Sequence, residues 1–213
     1  MRIIATSDMH GMHRDVEIPL GDMLIVAGDI TGRDKIEEIY DFNDWLHEQP
    51  HHYKIVIAGN HDGCLQEAGP ELSSIYLSDA IYLENSFCII GHEGKKYKVW
   101  GSPFTPMFLD WYFMEERNKI KKYWDTIPND TDIVITHGPG WGTLDEVEPS
   151  FKRGHLGCEE LTKAIARVKP QLHIFGHIHD GYGVKKNNDT LFINASTCNE
   201  EYEPINLPVI IDI

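Results

Sequence analysis

Membrane-length apolar runs, paired cysteines and a surplus of basic residues are all missing from this chain, and each absence removes a class of function. No uncharged apolar stretch reaches the roughly 18 to 20 residues that cross a bilayer, and the N-terminus enters a strand without a charged leader. A soluble, cytoplasmic protein is therefore expected. The four cysteines, Cys64, Cys88, Cys158 and Cys198, form no Cys-x-x-Cys pair. That spacing excludes a zinc knuckle or a disulfide scaffold and predicts buried, reduced thiols. Only 19 Lys and Arg stand against 34 Asp and Glu, a formal charge of -15, so a surface that coats long DNA or RNA is not expected. Neither repeats nor low-complexity linkers occur. With 213 residues, 41% of them hydrophobic, the chain can bury a sizeable core as one domain over residues 1–213.

What the chain does contain is a series of apolar, largely β-branched runs: Ile3 to Thr6, Met23 to Ala27, Tyr53 to Ala58, Ile133 to Thr136 and Leu172 to Phe175. These read as buried strands. A helix is expected from about Asp34 to His47, where Ile36, Ile39, Phe42 and Leu46 share a face. Ile81 to Leu83, Phe87 to Ile90 and Tyr97 to Trp100 read as antiparallel strands. Met107 to Trp124 reads as a helix whose aromatic residues cover a core, with a pocket wall or partner surface as the alternative, and Cys158 to Val168 reads as another helix. Thr190 to Asn194 and Val209 to Ile213 close the chain as strands. The fold class is α/β, with two stacked mixed sheets flanked by helices.

Each of the first five runs is followed by a short cluster of metal-binding side chains: Asp8-Met9-His10, Gly28-Asp29, Gly59-Asn60-His61-Asp62, His137-Gly138 and Gly176-His177-Ile178-His179. A lone Asp-x-His is commonly a turn, and a lone histidine an ordinary polar group. Five such blocks at successive strand ends are another matter, because ligands just past neighbouring strand ends converge at one sheet edge. Asp8 and His10, like His177 and His179, are spaced to point the same way in an extended segment. Imidazoles, carboxylates and an amide suit borderline divalent ions, whereas an all-oxygen cage would favour calcium or magnesium. Manganese is the first expectation, with iron, zinc or nickel compatible.

These blocks resemble those of the calcineurin-like metallophosphoesterase superfamily over nearly the whole chain. The stretches Tyr53 to Asp62, Trp100 to Pro103, Ile133 to Pro139 and His173 to Gly183, extended by Asn194-Ala195-Ser196, are similar to metallophosphoesterase-domain-containing proteins and related class III cyclic nucleotide phosphodiesterases. The resemblance implies a four-layer sandwich with two divalent metal ions. One ion would be held by Asp8, His10 and His179, the other by Asn60, His137 and His177, with Asp29 bridging both. It implies that His61 protonates the leaving alkoxide or stabilises its charge. A hydroxide activated by the metals would attack phosphorus in line.

Several residues stay open as accessory groups. Asp62 is read either as a partner that orients a histidine or as an exposed turn aspartate. His13, just past the first cluster, and His155, in Arg153-Gly154-His155-Leu156-Gly157 ahead of a helix, are candidate substrate contacts together with Asn60 and His61. Trp141 is read first as a packing residue and, alternatively, as one that could stack on a nucleobase. The leading function is hydrolysis of small phosphodiesters, with 2',3'- or 3',5'-cyclic nucleotides favoured by the resemblance. The alternatives are a phosphomonoesterase or protein phosphatase, or a metal-dependent nucleotide-binding module with little turnover. A homodimer is compatible with the sequence.

Overall fold

Strands that read as unbroken apolar runs need cover on both faces, and the computed structural model, which describes residues 1–147, 154–187 and 189–213, provides it with two sheets and two helical layers. The first sheet contains β1 (Arg2–Thr6), β2 (Met23–Ala27), β3 (Tyr53–Ile57), β4 (Ile81–Tyr82) and β15 (Val209–Asp212). Its order is β15-β1-β2-β3-β4, parallel except for the β15 edge. The second contains β5 (Ser86–His92), β6 (Lys95–Ser102), β9 (Ile133–Thr136), β12 (Leu172–Phe175), β13 (Gly183–Lys186) and β14 (Leu191–Asn194). Its order is β13-β14-β12-β9-β6-β5, with antiparallel hairpins at both edges and parallel pairs in the middle.

Alternation along the strands assigns each side chain to a layer. Ile3, Ala5, Ile25, Ile55 and Ile57 of the first sheet meet Val99, Ile133, Ile135, Ile174 and Ile193 of the second, which forms the central core. The intervening residues Ile4, Leu24, Val26 and Val56 face α1 (Ile36–Glu48) and α2 (Gly63–Tyr76) through Ile39, Phe42, Leu46 and Leu65. On the far side Trp100, Val134, Phe175 and Phe192 pack on α3 (Lys121–Trp124) and α4 (Glu159–Val168) through Trp124, Leu161, Ile165 and Val168. The four-layer sandwich is therefore present.

Some expectations are corrected. Residues 107–124 are not one helix: β7 (Thr105–Pro106) pairs with β8 (Met114–Glu115), and only α3 is helical. Trp111, Tyr112 and Phe113 are consecutive aromatics with stronger strand than helix preference. Leu109 and Phe113 adopt positive φ (55° and 48°), which ends any helical run. The segment loops outward, leaving Phe108 and Trp111 exposed while Phe113 and Trp124 are buried. Ile81 to Tyr82 pairs parallel to β3, not antiparallel, because α2 returns the chain to the starting end of the sheet. α2 has no counterpart among the expected elements; it kinks at Gly69 (φ 75°), just before Pro70, and helix resumes beyond the kink. Cys158 and Cys198 are buried as expected, whereas Cys64 and Cys88 are half-buried.

Phe42, on the inward face of α1, is fully buried. Phe42→Ala is expected to cost about 3 to 5 kcal/mol in chemical denaturation. A loss below about 1 kcal/mol would show that α1 does not cover the sheet in this way.

Candidate metal centre

All five clusters lie past the C-terminal ends of parallel strands: Asp8 and His10 after β1, Asp29 after β2, Asn60 and His61 after β3, His137 after β9, His177 and His179 after β12. Because the two sheets stack, these ends meet along one rim. Four of these residues, Asp8, His10, Asp29 and His177, hold positive φ between 45° and 68°. Such backbone costs of order 1 to 3 kcal/mol each and persists only where surrounding bonds impose it. Here they do: Asp8 N–H donates to Gly28 O and His10 N–H to Asp29 O, both at 3.0 Å.

The side chains fall into three overlapping groups whose ligand atoms lie within 4.8 Å of one another: Asp8, His10 and His179; Asp29, His137 and His177; and His10, Asp29 and His61. Asp29 stands between the first two. Its Oδ2 is 3.9 Å from His10 Nε2, and its Oδ1 is 3.3 Å from His137 Nε2. Asn60 Oδ1 joins the second group, 2.9 Å from His137 Nε2. His10 and His179 bring their Nε2 atoms within 3.3 Å.

Backbone acceptors set the orientation of two rings. His137 Nδ1 bonds Ala27 O at 3.0 Å and His179 Nδ1 bonds Asn199 O at 2.8 Å. A carbonyl only accepts, so Nδ1 carries the hydrogen and Nε2 is the atom turned inward, an arrangement common behind metal-binding histidines. Asp8 accepts from His177 N–H (3.0 Å) and from the Ser196 hydroxyl (2.8 Å), which ties the two sheets together at the site. Close approach also demands glycine. A Cβ on Gly176 would collide with the Asp8 carboxylate, and one on Gly59 with Asp29 and His137.

Electrostatics favour a cationic occupant. Burial lowers His10 and His177 to about 4, so both stay neutral with a free lone pair. Burial alone would raise Asp8 and Asp29, but His179 beside the first and His137 beside the second hold both well below the usual carboxylate range. Burial would lower His137, yet Asp29 carries it up to about 9. Ionised carboxylates this deep need compensating positive charge. Four imidazoles, two carboxylates and an amide oxygen fit a pair of borderline divalent cations, whose binding would displace the added proton from His137.

The other candidates separate. Asp62 is fully buried and does not orient a histidine. It accepts backbone N–H from Ile30 (3.1 Å), Thr31 (2.8 Å) and Gly59 (2.8 Å), bracing the loops that carry Asp29 and Asn60. Burial and the charge of Asp29 push its carboxyl up to about 7. His13 is not at the surface of the cleft: it is 1% exposed, bonded to Asp41 at 2.9 Å and packed on Phe42 and Trp45. The first helical layer claims it. His155 Nδ1 is held by Asp145 at 2.7 Å, and its ring faces the exposed Trp141. Arg153 lies outside the described residues. Two aromatic neighbours of the ligand set lie outside the clusters that mark it in the sequence. Trp111 stacks on His61, and Tyr202 meets His10 and His179. Trp111 falls within the expected core helix, and Tyr202 lies far from any cluster, so spacing points to neither.

Asp62→Ala leaves three buried donors unpaired, at roughly 1 to 3 kcal/mol for such a group. The variant is expected to unfold at lower temperature and to gain less thermal stability from added Mn2+ than the wild type. Equal gains in both would separate Asp62 from the metal centre.

Comparison with known proteins agrees with the geometry. The family model for calcineurin-like phosphoesterase matches residues 1–181. The human protein named metallophosphoesterase domain-containing protein 1 is 37% identical, with all of this chain and 71% of that one aligned. A UPF0046 protein of Caenorhabditis elegans is 34% identical over 99% of this chain and 74% of its own. Among solved structures, the TT1561 protein of Thermus thermophilus shares the fold at a TM-score of 0.59 and 16% identity, covering 91% of this chain and 88% of that one. With the family model spanning the ligand-bearing strands and the human relative aligned along the whole of this chain, the protein belongs to the calcineurin-like phosphoesterase family.

Proposed function

We propose that this protein is a binuclear-metal phosphodiesterase of small phosphodiesters, with 2',3'- or 3',5'-cyclic nucleotides as favoured substrates. Its family supports metal-dependent phosphoester hydrolysis. The observation that carries the two-metal reading is Asp29, whose two oxygens face two different ligand groups. Asp8, His10 and His179 would hold one cation, Asn60, His137 and His177 the other, and Asp29 both. Manganese is the expected ion. When bound, the pair supplies an acidified water and neutralises charge on the phosphate oxygens.

The remaining tasks fall to side chains. His61 is anchored by its own backbone N–H on Asp29 Oδ1 at 2.8 Å, and its ring lies 4.5 Å from that of His10. This places an imidazole at the edge of the ligand set, where it would give a proton to the departing alkoxide oxygen. Such acid catalysis contributes about 10²- to 10⁴-fold. Asn60, adjacent in sequence, would orient the ester through its amide. The net charge of -15 opposes long polyanions, while a local pair of cations reverses the field for a small one.

Metal-stripped protein is expected to lose hydrolysis of bis-p-nitrophenyl phosphate and to regain it with Mn2+. Unchanged turnover after stripping would overturn the reading. The diester should be cleaved faster than p-nitrophenyl phosphate, and the reverse ranking would favour a phosphomonoesterase or protein phosphatase. His61→Ala should lower kcat by about 10²- to 10⁴-fold with metal content, measured by elemental analysis, close to that of the wild type.

A further inference from the structure

Two half-exposed aromatic residues outside the metal-facing set border His61. The Trp111 indole stacks on the His61 ring, with centroids 4.3 Å apart and planes at 27°. Tyr202 meets His10 edge-on at 4.8 Å and His179 at 5.5 Å, and lies 6.2 Å from His61. They reach the site from unrelated parts of the chain, Trp111 from the loop between β7 and β8, Tyr202 from the segment after β14. Core packing does not account for them, because Trp111 is 42% and Tyr202 49% exposed. Tyr202 holds a positive φ of 61°, a conformation that a bulky residue adopts only under constraint. Beside Trp111 the same loop also exposes Met107, Phe108 and Leu109. The rim of this strongly acidic protein therefore carries exposed aromatic and apolar side chains beside His61, interspersed with the exposed Asp110, Glu201 and Glu203.

We infer that Trp111 and Tyr202 form an aromatic wall that takes the planar ring of the substrate's organic group, so that the centre selects aryl or nucleobase phosphates over aliphatic ones. This rests on the phosphoesterase reading above. Stacking of a base on an aromatic side chain changes affinity by about 5- to 150-fold, and it tolerates different bases because every ring offers a π face. Trp111 also keeps the His61 ring in place through its stack, so its loss has two separable consequences: weaker binding, confined to aromatic ligands, and slower proton transfer by His61, common to every ester.

The test is calorimetric binding of phenylphosphonate and methylphosphonate to the Mn2+-loaded full chain. Wild-type protein is expected to bind phenylphosphonate at least about 5-fold more tightly. Trp111→Ala and Tyr202→Ala should bring that ratio towards one while changing methylphosphonate affinity little, and Trp111→Phe should retain part of the preference. A ratio near one in the wild type, a ratio preserved in both alanine variants, or an equal loss for both phosphonates would overturn the inference. A clear phenyl preference without hydrolysis of any diester would leave the wall standing and defeat the phosphodiesterase reading. Binding of neither phosphonate would defeat both.

Discussion

Two carboxylates held away from water between stacked sheets are the constraint on which this structure turns. Asp8 is fully buried and Asp29 nearly so, both ionised by the histidines around them. Burying such charge without compensation costs several kcal/mol for each ion. Much of the local architecture distributes that charge: the Ser196 hydroxyl and His177 N–H on Asp8, the His61 N–H on Asp29, and the histidines pressed against both. The same arrangement suits divalent cations, so the buried negative charge is also what equips the site to hold metal.

The strain is visible in the backbone. Asp8, His10, Asp29 and His177 all occupy the left-handed region, an unusual concentration for non-glycine residues. Gly59 and Gly176 let adjoining strands approach the carboxylates more closely than any side chain would allow. Asp62 braces the resulting loops from below by collecting three backbone hydrogens that would otherwise be buried without partners. The central core of Ile and Val fixes how the two sheets face each other, and that facing sets the separation of the ligand groups. Stability of the sandwich and geometry of the site are thus properties of the same contact surface.

Much of this is legible in the amino-acid sequence. The β-branched runs mark the strands closely, because residues covered on both faces must be apolar throughout: Leu172–Phe175 and Ile133–Thr136 coincide with the observed strands, and the runs Ile3 to Thr6 and Tyr53 to Ala58 differ from β1 and β3 by one residue. Every expected ligand joins the rim. The failures are equally physical. Residues 107–124 carry aromatics that suit either a helix or a loop over a site, and the pairing of Thr105 with Met114, which decides between them, is a tertiary event. His13 follows a ligand cluster in sequence but turns into the helical layer, where Asp41 satisfies it. Asp62 is a turn residue by type. Its role depends on three backbone donors, two of them some thirty residues earlier.

By itself, the sequence determined which segments are strands, that their ends carry metal-binding side chains, and that histidine with carboxylate favours a borderline divalent ion. Those are local properties, set by hydrophobicity, periodicity and donor chemistry. Only the tertiary structure decided that Asp29 lies between two ligand groups, that Asp62 supports loops rather than a ring, and that Trp111 and Tyr202 flank His61. Each of these depends on the stacking of two sheets and the path of long connections, which bring together residues whose separation in the chain says nothing about their distance in space.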